Sequence, residues 1–270
     1  MFIADGVVYL ELQKTACTHI GKLLALVLDG EQVGKHNKPG PELFARRPVF
    51  LGSVRDPWAW YVSLWAYGCQ QEGMLQQALT HRRASPRGLG WRAQPAYAMR
   101  RWLHSFRQDS AGWRELYTDV QNVQAFRTWL QRLHEPAKRW DSGEQFGCHA
   151  CSRAVGFMTY RYLDFFCRGS FRAIGDFESL RAFDANSNYI DYMIRTEYLE
   201  LDLLTVLERL GISLSGKHRN QILSGGRSNP SRGKRNNWQE YYDLASIELV
   251  ARLEKLIIEK YNYRRPMLKQ

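Results

Sequence analysis

Lys14-Thr15-Ala16-Cys17-Thr18 sets one cation, two hydroxyls and two small side chains between an apolar stretch, Val7-Val8-Tyr9-Leu10, and a helical run. That run carries apolar residues at Ile20, Leu23, Leu24, Val27 and Leu28. The start of a helix leaves main-chain N–H groups without intrahelical acceptors and adds the positive end of the helix dipole. Ala16 and Cys17 are small enough to let an anion approach, the two threonines offer hydroxyl donors, and Lys14 supplies a mobile charge. Strand, small-residue loop and helix start in this order form a phosphate grip. The loop is not a Walker A motif, which needs G-x-x-x-x-G-K-[ST]; the nearest approach, from Gly30 to Lys35-His36, is one residue short and follows a helix. Alone, the loop reads as readily as a helix cap with an incidental lysine.

A second string makes a similar offer. Val49-Phe50-Leu51-Gly52-Ser53-Val54 has the composition of a buried strand and ends at Arg55. Asp56 and Pro57 follow as an N-cap and a first helical residue. The helix that follows bears Trp58, Tyr61, Val62 and Trp65 on one stripe, ends near Gly68, and places Ser63 eight residues after Arg55. Arginine grips phosphate bidentately, and a helical serine can complete the hold. The plainer reading pairs Arg55 with Asp56.

The elements that must position these residues read as α/β. Asp29-Gly30 is expected to stop the first helix, and the loop "GKHNKPGPE" leads to the second strand. Residues 70–165 are rich in Arg, Trp and Gln and are read as amphipathic helices. A strand over Tyr189–Ile194 precedes a helix with Leu199, Leu203, Val206, Leu207 and Leu210, closed by Gly211. A basic loop from Ser213 to Asn237 leads to a last helix with Leu249, Val250, Leu253, Leu256 and Ile257. The expectation is one domain, 1–270, built on a mostly parallel sheet flanked by helices, with 70–165 inserted as a helical, acceptor-side region. In such sheets ligands lie beyond the carboxyl ends of the strands, where both strings sit.

A content of 44% apolar and 24% charged residues excludes a disordered chain. The net charge of +11 favours anionic partners without naming one. Five cysteines do not make a disulfide scaffold, and no leader or apolar run of membrane length is read, so the expectation is a cytoplasmic protein without stable membrane insertion.

Taken together, the two strings resemble the sulfotransferase superfamily, whose members use 3′-phosphoadenosine 5′-phosphosulfate as donor. Its first signature, Lys-Thr-x-x-Thr in a strand–loop–helix, corresponds to Lys14, Thr15, Ala16, Cys17 and Thr18. Its second, Arg-Asp-Pro with a serine eight residues after the arginine, corresponds to Arg55-Asp56-Pro57 and Ser63. The resemblance covers roughly 1–68 and 170–265. It departs at Ala16, where many members have glycine, and at His19, where serine or tryptophan is common. The Lys-Thr-Ala form is closer to glycan 2-O-sulfotransferases, which points toward a sugar hydroxyl.

The resemblance implies a P-loop-like sulfotransferase fold and in-line transfer of a sulfuryl group to an acceptor hydroxyl, a glycan or glycolipid among the candidates. Lys14 would neutralise the bridging oxygen. Thr15, Thr18 and the loop amides would hold the 5′-phosphate, Arg55 and Ser63 the 3′-phosphate, and Arg232 and Lys234 would close over the nucleotide. No metal and no nucleic acid enter this scheme. His36 is the candidate general base, a role worth roughly 10²–10⁴-fold, with His19 or a carboxylate from the middle region behind it. Two rivals stand beside this reading: a nucleotide-dependent phosphotransferase and a non-catalytic polyanion-binding protein. Cys148-His149-Ala150-Cys151 supplies two thiols where a structural zinc site needs four ligands, and is read as ordinary packing. Most of the nine tryptophans are read as core, and Arg195-Thr196-Glu197 as a structural pair and cap.

Overall fold

A computed structural model describes residues 1–82, 95–224 and 237–267. In chain order the elements are β1 (Phe2–Ala4), β2 (Val7–Tyr9), α1 (Cys17–Val27), β3 (Gly30–Gln32), α2 (Pro41–Ala45), β4 (Val49–Val54), α3 (Pro57–Cys69), α4 (Met74–Thr80), α5 (Pro95–Ser105), α6 (Ser110–Glu115), α7 (Val123–His134), α8 (Phe157–Phe166), α9 (Phe177–Ser187), β5 (Tyr192–Arg195), α10 (Leu199–Arg209), α11 (Gly216–Ser224), α12 (Leu244–Leu253) and α13 (Lys255–Tyr261). The class is α/β, and most of the elements are helical.

The sheet order is β3-β1-β2-β4-β5. β2, β4 and β5 run parallel, but β1 pairs antiparallel with both β2 and β3. The sheet is therefore mixed, which corrects the expectation of a mostly parallel one. Gly6, left-handed at φ 67, turns β1 tightly into β2. The expected stop at Gly30 is also revised. α1 ends at Val27, and Gly30 opens β3, where the Ile3 carbonyl and the Phe2 ring come so close that no Cβ fits.

The chain divides into two units. The first comprises residues 1–56, 161–169 and 183–232 and holds the whole sheet. On one face Val7, Tyr9, Leu51 and Ile194 pack with Ile20, Leu23 and Leu24 of α1, Leu203 and Leu207 of α10 and Ile222 of α11. On the other, Phe50 meets Phe44 and Tyr189 at ring distances of 5.1 and 5.2 Å, and Gly52 lies against Phe166. β5 starts at Tyr192, later than the expected Tyr189, because Asn188–Asp191 form a turn: Asp191 exchanges hydrogen bonds with Phe50, taking its N–H at 2.7 Å. Part of the expected basic loop is the helix α11, with Ile222 buried.

The second unit comprises residues 57–160, 170–182 and 233–270. It is helical among the described residues, and most of the region expected as helical over 70–165 lies in it, although it begins already at α3. Trp58, Trp60, Tyr61, Trp65, Trp113, Phe126 and Trp129 are almost wholly buried, so these tryptophans are core. The expected last helix is two, α12 and α13, broken at Glu254. The side chain of Glu254 turns inward and accepts from the Tyr61 hydroxyl, from the N–H groups of Met158 (3.2 Å) and Thr159 (2.8 Å), and from the Thr159 hydroxyl (2.6 Å). Gly156, just before α8, permits this approach, since a Cβ there would collide with the carboxylate.

Candidate functional site

The candidate site is built where β2 and β4, neighbours in parallel, reach their carboxyl ends. The chain leaves β2 through Leu10–Gln13 and enters a loop in which Lys14 (φ 65) and Ala16 (φ 60) are both left-handed. Side chains adopt that region at a cost of roughly 1–2 kcal/mol each, so something must hold the loop there. Thr15, between them, does so. It is fully buried, and its hydroxyl donates to the Leu12 carbonyl at 2.7 Å and pairs with Ser53 Oγ at 2.7 Å, which itself meets Tyr9 Oη at 2.7 Å. The Thr15 side chain thus fastens the loop to both strands, and at an anion it can offer only its main chain.

Ala16 then starts α1 with no side-chain cap and no acidic residue in the first turn. Cys17 is buried, and burial, followed by the nearby Glu11, raises its thiol above the ordinary value, so it stays protonated. Thr18 keeps a partly exposed hydroxyl, to which Lys35 Nζ donates at 3.2 Å.

Arg55, at the end of β4, is half-buried, and its Nη1 donates to the Lys14 carbonyl at 3.3 Å. The two motifs, 41 residues apart in sequence, meet at this contact. Asp56, next in the chain, is also tied to the chain leaving the end of β5. Its buried N–H donates to Glu197 Oε1 at 2.9 Å, while Thr196 Oγ1 donates to the Val54 carbonyl at 2.9 Å. Arg195 pairs bidentately with Asp202 at 2.8 and 2.9 Å, so 195–197 serve as pair and brace.

His36 lies beside the loop. Its backbone is left-handed (φ 55), and its Nδ1 is 2.7 Å from the Glu11 carbonyl, three residues before Lys14. A carbonyl only accepts, so Nδ1 carries the proton and Nε2 keeps its lone pair. Burial holds the imidazole below its ordinary value, and Lys35 and Arg161 push the same way against the Glu11 hydrogen bond. The ring is therefore neutral at pH 7 with a basic nitrogen available. His19 is buried in α1.

The first unit thus brings together Lys14, Thr15, Ala16, Cys17, Thr18, Arg55 and His36. Ser63 is buried two turns into α3, in the second unit. Arg232 and Lys234 lie outside the described residues. The sequence reading did not single out Tyr9, Ser53 or Lys35. Ser53 carried a usable signal, being the one hydroxyl in the strand 49–54, two residues before Arg55. Cys148 and Cys151 are free thiols, each raised to about 11 by burial, and among the described residues no third ligand-type side chain joins them.

An open groove lies at the opposite ends of the parallel strands, lined by Ala4, Asp5, Gly6, Asp29, Glu31 and Arg46. It sits where β2 and β4 begin, the end at which parallel sheets do not place ligands, and its acids suit no anion. Compared with known proteins, the chain matches no family model, no curated protein and no solved structure.

Proposed function

We propose that this chain is a sulfotransferase on a P-loop-like fold, taking a sulfuryl group from 3′-phosphoadenosine 5′-phosphosulfate to an acceptor hydroxyl. The observation that carries the reading is the contact between Arg55 and the Lys14 loop at the carboxyl ends of two adjacent parallel strands. One nucleotide with phosphates at both its 5′ and 3′ positions needs two cationic grips within its own length. A loop held in a strained left-handed form by a buried hydroxyl chain fits the fixed geometry that such an anion requires.

In this reading the N–H groups that open α1 and the Thr18 hydroxyl hold the 5′-phosphate, and Arg55 faces the 3′-phosphate. Lys14 neutralises charge on the oxygen that leaves sulfur. His36 Nε2 takes the acceptor's proton as the oxygen attacks. Transfer of this kind depends mostly on positioning and on charge stabilisation, as phosphoryl transfer does. A neutral histidine beside two cations remains a base at pH 7, so the acidic limb of the rate should inflect below the ordinary histidine value of about 6.5.

Thermal denaturation of the full chain with adenosine 3′,5′-bisphosphate, ATP or heparin tests the reading. Selective stabilisation by the bisphosphate is expected, growing as RT ln(1 + [L]/Kd). Equal stabilisation by ATP would favour a phosphotransferase, and a response to heparin alone, steeply weakened by salt, a polyanion binder. His36→Ala is expected to lower turnover by more than about tenfold with bisphosphate binding intact. A smaller loss removes His36 from the base role.

A further inference from the structure

In the second unit one helix is turned inside out. The inner face of α5 consists of Ala98, Arg101 and Ser105, and Arg101 and Ser105 are each only 1% exposed. Arg101 Nη2 donates to the Asp141 carbonyl at 2.8 Å, and the buried Gln108 that follows donates to the Ala78 and Leu79 carbonyls at 2.8 and 2.5 Å. The opposite face is apolar. Met99, Leu103 and, in the turn closing the helix, Phe106 follow at i, i+4 and i+7 and are 36%, 53% and 57% exposed. Trp102 packs edge-on against Phe106 at 5.1 Å and widens the patch. A helix normally faces the core with its apolar stripe. Here the charge is held inside and the apolar stripe lies in water, which is unfavourable at about 25 cal/mol per Å². Contiguous patches of this sort mark docking faces.

The rim says what docks. Arg100 and Arg107 are both exposed beside the stripe, and residues 95–107 contain no Asp or Glu. Of the acids about the helix, Asp141 is buried on its inner side, taken up by His104 at 2.6 Å and Trp113 Nε1 at 2.8 Å, and Asp109, just beyond it, is held by Arg132 at 2.8 Å and by the Gly112 N–H at 2.9 Å. A second copy of the chain would bring this cationic rim against its own, on a molecule of net charge +11. An apolar stripe with cationic flanks suits an anionic lipid surface.

We infer that α5 is a docking face for an anionic phospholipid bilayer, with Met99, Leu103 and Phe106 entering the headgroup boundary and Arg100 and Arg107 meeting lipid phosphates. The contact is peripheral, and among the described residues no helix is long and apolar enough to cross a membrane. The inference does not rest on the transferase reading.

Sedimentation of the full chain with vesicles of phosphatidylcholine alone, or mixed with phosphatidylglycerol, tests it. Binding to the mixture and not to phosphatidylcholine is expected. Arg100→Gln/Arg107→Gln should weaken that binding about 30-fold, near fivefold per arginine. Leu103→Gln/Phe106→Gln should weaken it by at least about tenfold through lost apolar burial. All four side chains are exposed, so the melting curves should be unchanged. No binding to the mixture overturns the proposal, and so does binding that only one of the double variants, or neither, weakens. Self-association abolished by Leu103→Gln/Phe106→Gln, without vesicle binding, would give the face to a second copy and overturn it equally.

Discussion

The helices α1 and α8 begin in opposite ways. α8 is met by the buried carboxylate of Glu254, which accepts from the N–H groups of Met158 and Thr159, while the Tyr61 hydroxyl takes the N–H of Phe157 at 3.1 Å. Its positive end is closed by an acid of the chain itself. α1 starts at Ala16 without a side-chain cap or an acid in its first turn, and the hydroxyl of Thr15 is turned away, toward Ser53 and Leu12. Both starts rest on a buried polar network. In the second unit that network meets the helix end with a carboxylate, whereas in the first it braces a strained loop and leaves the helix start without a side-chain cap, which the proposed function gives to an anion. On the proposed function, the contrast is between polar burial that serves stability and polar burial that serves a site.

The largest effect that would test this contrast is at Glu254. Replacing it by alanine strands the four donors it now accepts from, and urea denaturation should show a loss of about 3–5 kcal/mol. A loss under about 1 kcal/mol would mean that the carboxylate does not hold α8. Lys14→Ala should do the reverse, lowering turnover by about 10²–10³-fold, the range for a lost charge-stabilising donor. Its urea midpoint should barely move, since the side chain is partly exposed. If Lys14→Ala melts the protein and Glu254→Ala spares it, the assignment of the two networks is inverted.

How much of this was readable depended on how local the cause was. Val49–Val54 is found with the expected bounds, and α1, α3 and α10 lie where their apolar spacing put them, because burial writes itself into sequence at periods of 2 and 3.6. β1 and β3 were not readable. Each is three residues long, all of β3 is exposed, and pairing makes them strands, β1 with β2 and β3, and β3 with β1. Their antiparallel pairing is what makes the sheet mixed. Glu254 looked like an ordinary polar position in an amphipathic helix, and its inward turn depends on Tyr61 and Thr159, more than 90 residues away. Within the candidate site, Lys14 and Arg55 were singled out by chemistry and spacing, and His36 by the resemblance to glycan sulfotransferases. The inward direction of the Thr15 hydroxyl was hidden, since it is set by Ser53 across 38 residues.

Two of the perturbed histidines extend the comparison to pH. His36 is only partly buried and keeps one nitrogen for chemistry. His134 is buried with neither ring nitrogen hydrogen-bonded, between Tyr61 and Phe146. Burial first, then Arg139 and Arg252, drive its pKa down to about 3. Unfolded, it would titrate near 6.5, so below that pH the unfolded chain takes up a proton that the folded chain refuses. Stability should therefore fall as pH drops from about 6.5 toward 3, by about 1.4 kcal/mol per unit from this residue, with no contribution above 6.5. Urea midpoints at neutral and mildly acid pH for the wild type and His134→Leu isolate the effect, and the variant should lose that share of the slope. Parallel slopes would show that His134 is protonated as readily in the fold as outside it.

The smallest effect falls on the loop itself. Ala16 holds φ 60, where an alanine is strained and a glycine is not, and the sulfotransferase pattern that this loop resembles often has glycine there. Ala16→Gly relieves that strain in the folded state but frees the unfolded chain, so the two changes partly offset and the gain in stability should not exceed about 1 kcal/mol. If the left-handed turn is what orients the first N–H groups of α1, relief without loss of geometry should leave bisphosphate affinity within about threefold, a difference under 1 kcal/mol. Ala16→Val, whose β-branch tolerates positive φ still less well, should weaken both stability and bisphosphate binding. A valine variant that binds as well as the wild type would detach the turn from anion recognition and leave the hydroxyl chain of Tyr9, Ser53 and Thr15 bracing the loop for stability alone, as Glu254 braces α8.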